Sequence, residues 1–270
     1  MKIKFFALAT LAIFIAAGSV FAARYGRANN NISSNQNGAN LIASLPYDAP
    51  NDEETAGIVK MREEEKLARD VYITLNEKWN LAVFSNIAVS EQRHMDAVKA
   101  LIDRYGIEDP VTDDSVGAFT NPNIKALYDQ LTTTGGESVE KALWVGATIE
   151  DLDIFDLNEL INSTDNVDIL TVYQNLAKGS RNHLRSFGAM LASYGLDYQA
   201  QYLTQDEVDA IINSDRERGR YDANGNQVSG PRQGNRGRQG RQYGSNQRGY
   251  AGHGPNFVDK NGDGICDYRQ

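Results

Sequence analysis

Apolar residues recur at spacings of three and four along most of the chain between residues 50 and 213, a period typical of amphipathic α-helices. The pattern predicts four long helices, at about residues 52–79, 82–105, 138–162 and 167–194. A very short turn joins the first two helices and another joins the last two. A longer connection with a short helix near 123–133 separates the pairs. Two helical hairpins joined by one long crossover predict an all-α four-helix bundle.

Acids or a histidine interrupt the apolar stripe of each predicted helix near its middle. The interrupting residues are Glu65 in the first helix, Glu91 and His94 in the second, Glu150 and Asp153 in the third, and His183 in the fourth. A buried carboxylate without a partner costs several kcal/mol, so such groups usually have one. At a rise of about 1.5 Å per residue from the connecting turns, the four helices bring these side chains to one layer in mid-bundle.

A metal cation is the partner that this polar layer predicts. Carboxylates and imidazoles that converge in a bundle core suit iron, manganese or zinc. The metal would keep the acids ionised and the histidines neutral. The alternative is a buried salt-bridge network with Arg69, Arg93 or Arg185 as counter-ions. Interruptions in four helices at one height favour the metal.

Motifs around these residues resemble those of ferritins and rubrerythrins. The spacing Glu65-x-x-Ala68-x-x-x-Tyr72 is similar to their first-helix pattern, and Glu91-x-x-His94 is similar to the E-x-x-H of their second helix. The resemblance implies a ferritin-like bundle with a di-iron or single-metal carboxylate centre. It implies O₂ or peroxide chemistry, or iron oxidation, as the activity.

The later helices extend the resemblance. Glu150 falls where the third helix of those proteins offers a carboxylate, and His183 falls where rubrerythrins have the histidine of a second E-x-x-H. A closer resemblance, over roughly residues 48–213, is to domain-of-unknown-function family 2202, a ferritin-like group. The segments that carry it are MREEEKLARDVY, FSNIAVSEQRHMDAV, VGATIEDLDIFDL and GSRNHLRSF.

One position departs from this pattern, because Ser180 stands where the fourth helix should carry a glutamate. Asp153, one turn from Glu150, could replace the missing carboxylate, so a metal pair and a single metal both stay open. Gly179 could bend the fourth helix at this point. Tyr72 follows Glu65 by seven residues on the same helix, and it is predicted either as a redox-active neighbour of the metal or as a plain core residue.

The N-terminal residues 1–22 predict a secretory signal. Lys2 and Lys4 precede the apolar run FFALATLAIFIAA, and the small residues of GSVFAA suit cleavage. A retained membrane anchor is the alternative, although the run is short for a membrane span. The expected location is therefore periplasmic or extracellular, with residues 23–47 as a polar linker before the bundle.

The net charge of −9 is unevenly distributed, with an acidic body and a basic C-terminal part. Residues 216–254 are rich in Gly, Arg, Asn and Gln, a composition that predicts a disordered tail because it cannot bury a core. The tail resembles RNA-binding Arg-Gly segments, but no nucleic-acid partner is expected for an exported protein. A solvated linker and attraction to an anionic cell-surface polymer are the alternatives.

Residues 255–270 predict a calcium loop that resembles a single EF-hand or dockerin loop. The calcium ligands would be Asp259, Asn261, Asp263, the carbonyl of Ile265, and Asp267. Gln270 stands where the bidentate acid belongs, so weak binding near millimolar calcium is expected, with a plain turn as the alternative. Cys266 is the sole cysteine; it could link two chains in a homo-oligomer or remain a free thiol.

Two functions stay open at the level of sequence. The first is an exported ferritin-like oxidoreductase with a metal centre in the bundle core. The second is a non-catalytic cell-envelope module that keeps the bundle and attaches through its calcium loop and basic tail, a reading that Ser180 favours. Phosphate-binding loops, nucleophile triads and zinc-finger spacings are absent from the sequence, so those classes have no support.

Overall fold

The computed structural model describes residues 42–228. The predicted signal, most of the linker, the tail beyond residue 228, the calcium loop and Cys266 lie outside the described residues. Within residues 42–228, no helix combines the length and apolar composition that a membrane span requires.

The described chain is mostly helical and has almost no strands, so the predicted all-α fold class is confirmed. The helices are α1 (Asp52–Trp79), α2 (Ala82–Tyr105), α3 (Pro122–Gly135), α4 (Val139–Ser163), α5 (Val167–Ser193) and α6 (Gln205–Ile212). A short antiparallel hairpin follows, made of β1 (Arg220–Tyr221) and β2 (Gln227–Val228). In the bundle, α1 packs mainly on α2 and α4 mainly on α5, and the long crossover that contains α3 connects the two pairs.

Local signals fix both ends of α1. The Asn51 side chain accepts a hydrogen bond from the Glu54 N–H, and the Glu54 carboxylate accepts one from the Asn51 N–H, which completes a capping box. At the other end, Asn80 adopts the left-handed conformation with φ 49°, and its N–H donates to the Asn76 carbonyl. The chain therefore turns directly into α2, and the two helices run side by side in a fixed register.

The apolar core of the bundle has two parts, with the polar layer between them along the helix axes. On α1, Met61 belongs to one apolar cluster and Ala68 to the other, and Glu65 lies between them. On α2, Ile87 and Val98 belong to different clusters on either side of the polar residues. Apolar packing above and below thus stabilises a bundle whose middle is polar.

A buried ion cluster on α1 anchors the crossover. Asp70 is fully buried and accepts a 2.5 Å hydrogen bond from Lys66 Nζ, which also donates to the Ser115 carbonyl at 2.9 Å. Arg69 donates to both the side chain and the backbone carbonyl of Asp114. These contacts join α1 to a loop more than 40 residues away in the sequence, and they hold that loop against the bundle.

Part of the expected tail is ordered, because residues 216–228 form the hairpin segment on α5. Glu217 accepts hydrogen bonds from Arg181 at 2.8 and 2.6 Å and from the Tyr221 hydroxyl at 2.9 Å. Asn175 donates to the Tyr221 carbonyl and accepts from the Tyr221 N–H. Composition alone did not predict this docking, because a few polar contacts rather than an apolar stripe hold the segment.

We expect Glu217 to stabilise the fold in a pH-dependent way. Burial alone would raise its pKa, but hydrogen bonds from Arg181 and Arg185 outweigh burial and lower the pKa to about 2. Because this value lies below the ordinary 4.5, the stabilisation that ionised Glu217 gives the fold is complete above a pH of about 4.5. It is lost as the pH falls toward 2. Urea unfolding should give E217Q a free energy of unfolding about 1–3 kcal/mol below wild type near neutral pH.

That difference between E217Q and wild type should shrink as the solution is acidified. A difference that stays constant down to the acid limit would contradict the assigned pKa. E77Q is the matched control, since Glu77 is an exposed glutamate on α1, and its stability should follow wild type throughout.

Candidate metal centre

Five of the six predicted metal ligands meet in the polar layer as two groups that share one residue. Glu65, Glu91 and His94 form one group, and Glu91, Glu150 and His183 form the other. Within each group the ligand atoms lie within 4.8 Å of one another, and all five residues are buried. Glu91 is thus common to two sets of carboxylate and imidazole donors.

Glu91 joins the two groups through its two oxygens. Its Oε2 lies 2.7 Å from His94 Nδ1, and its Oε1 lies 2.7 Å from His183 Nδ1. Each imidazole also faces a carboxylate of its own, Glu65 at 3.1 Å for His94 and Glu150 at 3.3 Å for His183. The two rings stack with centroids 5.5 Å apart. These contacts form two similar half-sites, Glu65 with His94 and Glu150 with His183, on either side of the Glu91 carboxylate.

The position of the His94 ring depends on a glycine in the facing helix. A Cβ atom added at Gly179 would lie 2.4 Å from both Cε1 and Nε2 of His94. Gly179 lies within α5, which continues from Val167 to Ser193. A glycine inside a helix costs helix propensity, and the sequence predicts a possible bend of the fourth helix at Gly179. The structure gives it another role, the space that the imidazole occupies.

A Gly179→Ala substitution is therefore expected to weaken metal binding. The new methyl group must push the His94 ring away from the acids, and misplacing a ligand through its support typically costs about 10- to 100-fold in metal affinity. Titration with Mn²⁺ would measure the loss. Gly57→Ala is the matched control, since its Cβ would meet Leu160 and the Tyr173 hydroxyl, neither of which is a predicted ligand. Equal Mn²⁺ affinity in the two variants would contradict this role of Gly179.

The remaining predicted residues surround the shared carboxylate. The Tyr72 hydroxyl donates a 2.5 Å hydrogen bond to Glu150 Oε1, so it contacts the half-site across the bundle rather than that of Glu65. Ser180 is fully buried and bonds back to the Leu176 carbonyl of its own helix at 3.3 Å. Asp153 is only 2% exposed and belongs to neither group of three, yet its Oδ2 has no hydrogen-bond partner.

The pKa values in the layer reflect burial and mutual charge. Burial raises the pKa of Glu65 to about 8, although the His94 imidazole opposes the shift. Burial, and then the charges of Glu65 and Glu150, raise the pKa of Asp153 well above its usual range. Burial would also raise the pKa of Glu91, but the charges of His183 and His94 outweigh burial and lower that pKa. In the absence of a cation, protons shared among these groups must therefore balance the charge.

The counter-ion alternative finds no support in the described part of the chain. Arg69 pairs with Asp70 and Asp114, and Arg185 pairs with Glu217. The side chain of Arg93 is exposed. Across residues 42–228, no ion pair joins a lysine or arginine to any of the six predicted ligands.

The donor set fits divalent cations. Glu65 Oε1 and Asp153 Oδ2 are buried carboxylate oxygens without a hydrogen-bond partner. The four buried acids of the layer would together carry four negative charges, which two divalent cations balance when both histidines are neutral. The four acids are Glu65, Glu91, Glu150 and Asp153. Oxygen and imidazole donors of this kind suit iron, manganese or zinc.

Comparison with known proteins places the chain in a family. A family model described as an uncharacterized protein domain, DUF2202, matches residues 54–215. The uncharacterized protein MJ0754 of Methanocaldococcus jannaschii is 57% identical over 178 residues, which cover 66% of this chain and 96% of that protein. The crystal structure of hypothetical protein MJ0754 from Methanococcus jannaschii DSM 2661 gives a TM-score of 0.63 at 56% identity, over 64% of this chain and 99% of that one. The chain belongs to the DUF2202 family.

Proposed function

We propose that this chain is an exported ferritin-like protein whose bundle core holds two divalent metal ions, iron in the first place, for O₂ or peroxide chemistry or for iron oxidation. The observation that carries the proposal is the position of Glu91 between two buried Glu/His groups. Di-metal bundles use this design, with carboxylates and E-x-x-H motifs that project inward from facing helices.

Each half-site would hold one ion. Glu65 and His94 would bind the first, Glu150 and His183 the second, and Glu91 would contribute one oxygen to each. Bound iron would supply one-electron chemistry toward O₂ or peroxide. Asp153 would take the place of the carboxylate missing at position 180.

Tyr72 would act on this centre through Glu150. Its hydroxyl donates to Glu150 Oε1 and so orients the carboxylate, as outer-shell donors generally do for metal ligands. The rings of Tyr72 and Phe187 pack in a tilted arrangement, with centroids 5.4 Å apart, and add apolar cover beside the polar layer. Exclusion of bulk water would strengthen every charge interaction at the centre.

Elemental analysis of the full chain, after loading with iron, manganese or zinc, tests this proposal. We expect about two ions per chain, and their loss in an E65A/E91A double variant loaded in parallel. The difference between the two proteins isolates the bundle site from the calcium loop predicted at residues 255–270. One ion would support the single-metal alternative, and none would mean that protein groups alone satisfy the acids.

A second proposal is a non-catalytic cell-envelope module. The buried Ser180, which bonds to its own helix instead of offering a carboxylate, favours it. The basic tail would contact an anionic surface polymer, and the calcium loop would add an attachment point. Iron oxidation or peroxide consumption by the loaded chain separates the two, since a rate no higher than that of free iron would support the module.

A further inference from the structure

A second group of charged residues lies beside the polar layer, where α1 meets α4. Lys60 Nζ lies 2.8 Å from Asp156 Oδ1 and 3.7 Å from Glu64 Oε1. The Lys60 side chain is 46% exposed, whereas those of Glu64 and Asp156 are 11% and 13% exposed. A single ammonium group from the solvent side therefore covers two carboxylates that point inward.

These two carboxylates adjoin the predicted ligands. Glu64 directly precedes Glu65, and Asp156 lies one turn from Asp153 on α4, a spacing that places both side chains on one face. Glu64 Oε2 and Asp153 Oδ2 are each buried and without a hydrogen-bond partner. Carboxylates thus lie both beside the half-exposed Lys60 and beside the predicted ligands, and two of their buried oxygens are free to accept a cation.

The electrostatics of Glu64 agree with this proximity. Charge interactions join Glu64 to Asp156, to Lys60 and to Glu65. Glu64 is thus linked by charge both to the residues at the surface and to the predicted ligand beside it. A cation that entered here would relieve a repulsion that Lys60 offsets only from outside.

We infer that Glu64, Asp156 and Asp153 form the access route by which a divalent cation reaches Glu65 and the metal centre, with Lys60 covering its outer end. This inference rests on the proposed function. Oxygen ligands along the route would replace the waters of a hard divalent ion a few at a time. Negative charge at a binding site also raises the association rate of a cation, by roughly 10- to 1,000-fold in known cases.

The rate of Co²⁺ loading into the full chain tests the inference. Stopped-flow absorption in the visible region would follow Co²⁺ coordination in wild type, E64Q, D156N and the control E77Q. Glu77 is an exposed glutamate on the same helix, so its replacement removes the same charge at a distance. We expect E64Q and D156N to load about tenfold more slowly than wild type and E77Q, with the same final amount of Co²⁺.

Replacement of Lys60 should change the rate of Co²⁺ loading in the opposite direction. K60M removes the charge that competes with the cation for Glu64 and Asp156, so we expect faster loading than in wild type. A K60M rate at or below wild type would contradict the role given to Lys60.

The outcomes separate the access route from the metal centre itself. If wild type binds Co²⁺ and E64Q loads as fast as E77Q, the route is overturned while the proposed centre stands. A reduced final amount in E64Q would make Glu64 a ligand and would also overturn the route. Wild type that binds no Co²⁺ would overturn the proposed centre, and the route with it.

Discussion

An E91A variant is expected to lose both metal ions rather than one. The two oxygens of Glu91 face different imidazoles at the same distance of 2.7 Å, so a single side chain completes both half-sites. Its removal would leave each half-site with one carboxylate and one imidazole. We expect metal affinity to fall by more than about 100-fold, the upper end of the cost of losing an outer-shell partner. Elemental analysis after desalting would measure the loss.

The matched comparison for E91A is E150A, which alters only one half-site. E150A should retain the ion between Glu65 and His94, so the two variants should differ by about one ion per chain, as expected for a two-ion centre. Circular dichroism should give the same helix content for both. If E91A also retains one ion, Glu91 is not shared and the two half-sites are independent.

A D70A variant is expected to lose about 3–5 kcal/mol of unfolding free energy, the usual cost of removing one partner from a buried ion pair. Asp70 is fully buried and accepts hydrogen bonds from Lys66 Nζ, Arg69 Nε and the backbone N–H of Gly117. Without it, the Lys66 ammonium stays 1% exposed with no carboxylate partner. Denaturant unfolding of the metal-free protein would measure the change.

D129A is the control for D70A because it breaks the same kind of pair on the surface. Asp129 pairs with Lys125 at the same spacing of four residues, but both side chains are about half exposed. Such pairs contribute about 0–1 kcal/mol. A similar loss in both variants would mean that the burial of Asp70 does not determine its effect. If D70A destabilises only the crossover, a protease should cut that segment faster in D70A than in wild type.

The sequence predicted the bundle well because its signals are local. The period of apolar residues defines α1 and α2, while Asn51 with Glu54 and the left-handed Asn80 set the ends of α1. Since the turn at Asn80 is so short, counting residues from it was enough to bring Glu65 and Glu91 level. The prediction that the four helices place polar side chains in one layer rested on residue counts from the short turn within each helical pair.

Other features could not be predicted, because they depend on side-chain conformation or long-range packing. Periodicity places Glu91 in the layer, but only its rotamer shows that each oxygen faces a different histidine. The anchoring of the crossover by Asp70 joins residues 47 positions apart. The docking of Glu217 onto Arg181 likewise has no local signal, so composition assigned that segment to the tail.

We propose that two metal ions lie in the bundle core, one on each side of the Glu91 carboxylate. Anomalous X-ray diffraction from crystals of the iron-loaded chain, collected at the iron absorption edge, tests it most directly. We predict two peaks in the bundle core, one beside His94 Nδ1 and one beside His183 Nδ1, each next to an oxygen of Glu91. A map without a peak in this layer, in which both imidazoles contact only the carboxylates, would contradict the claim.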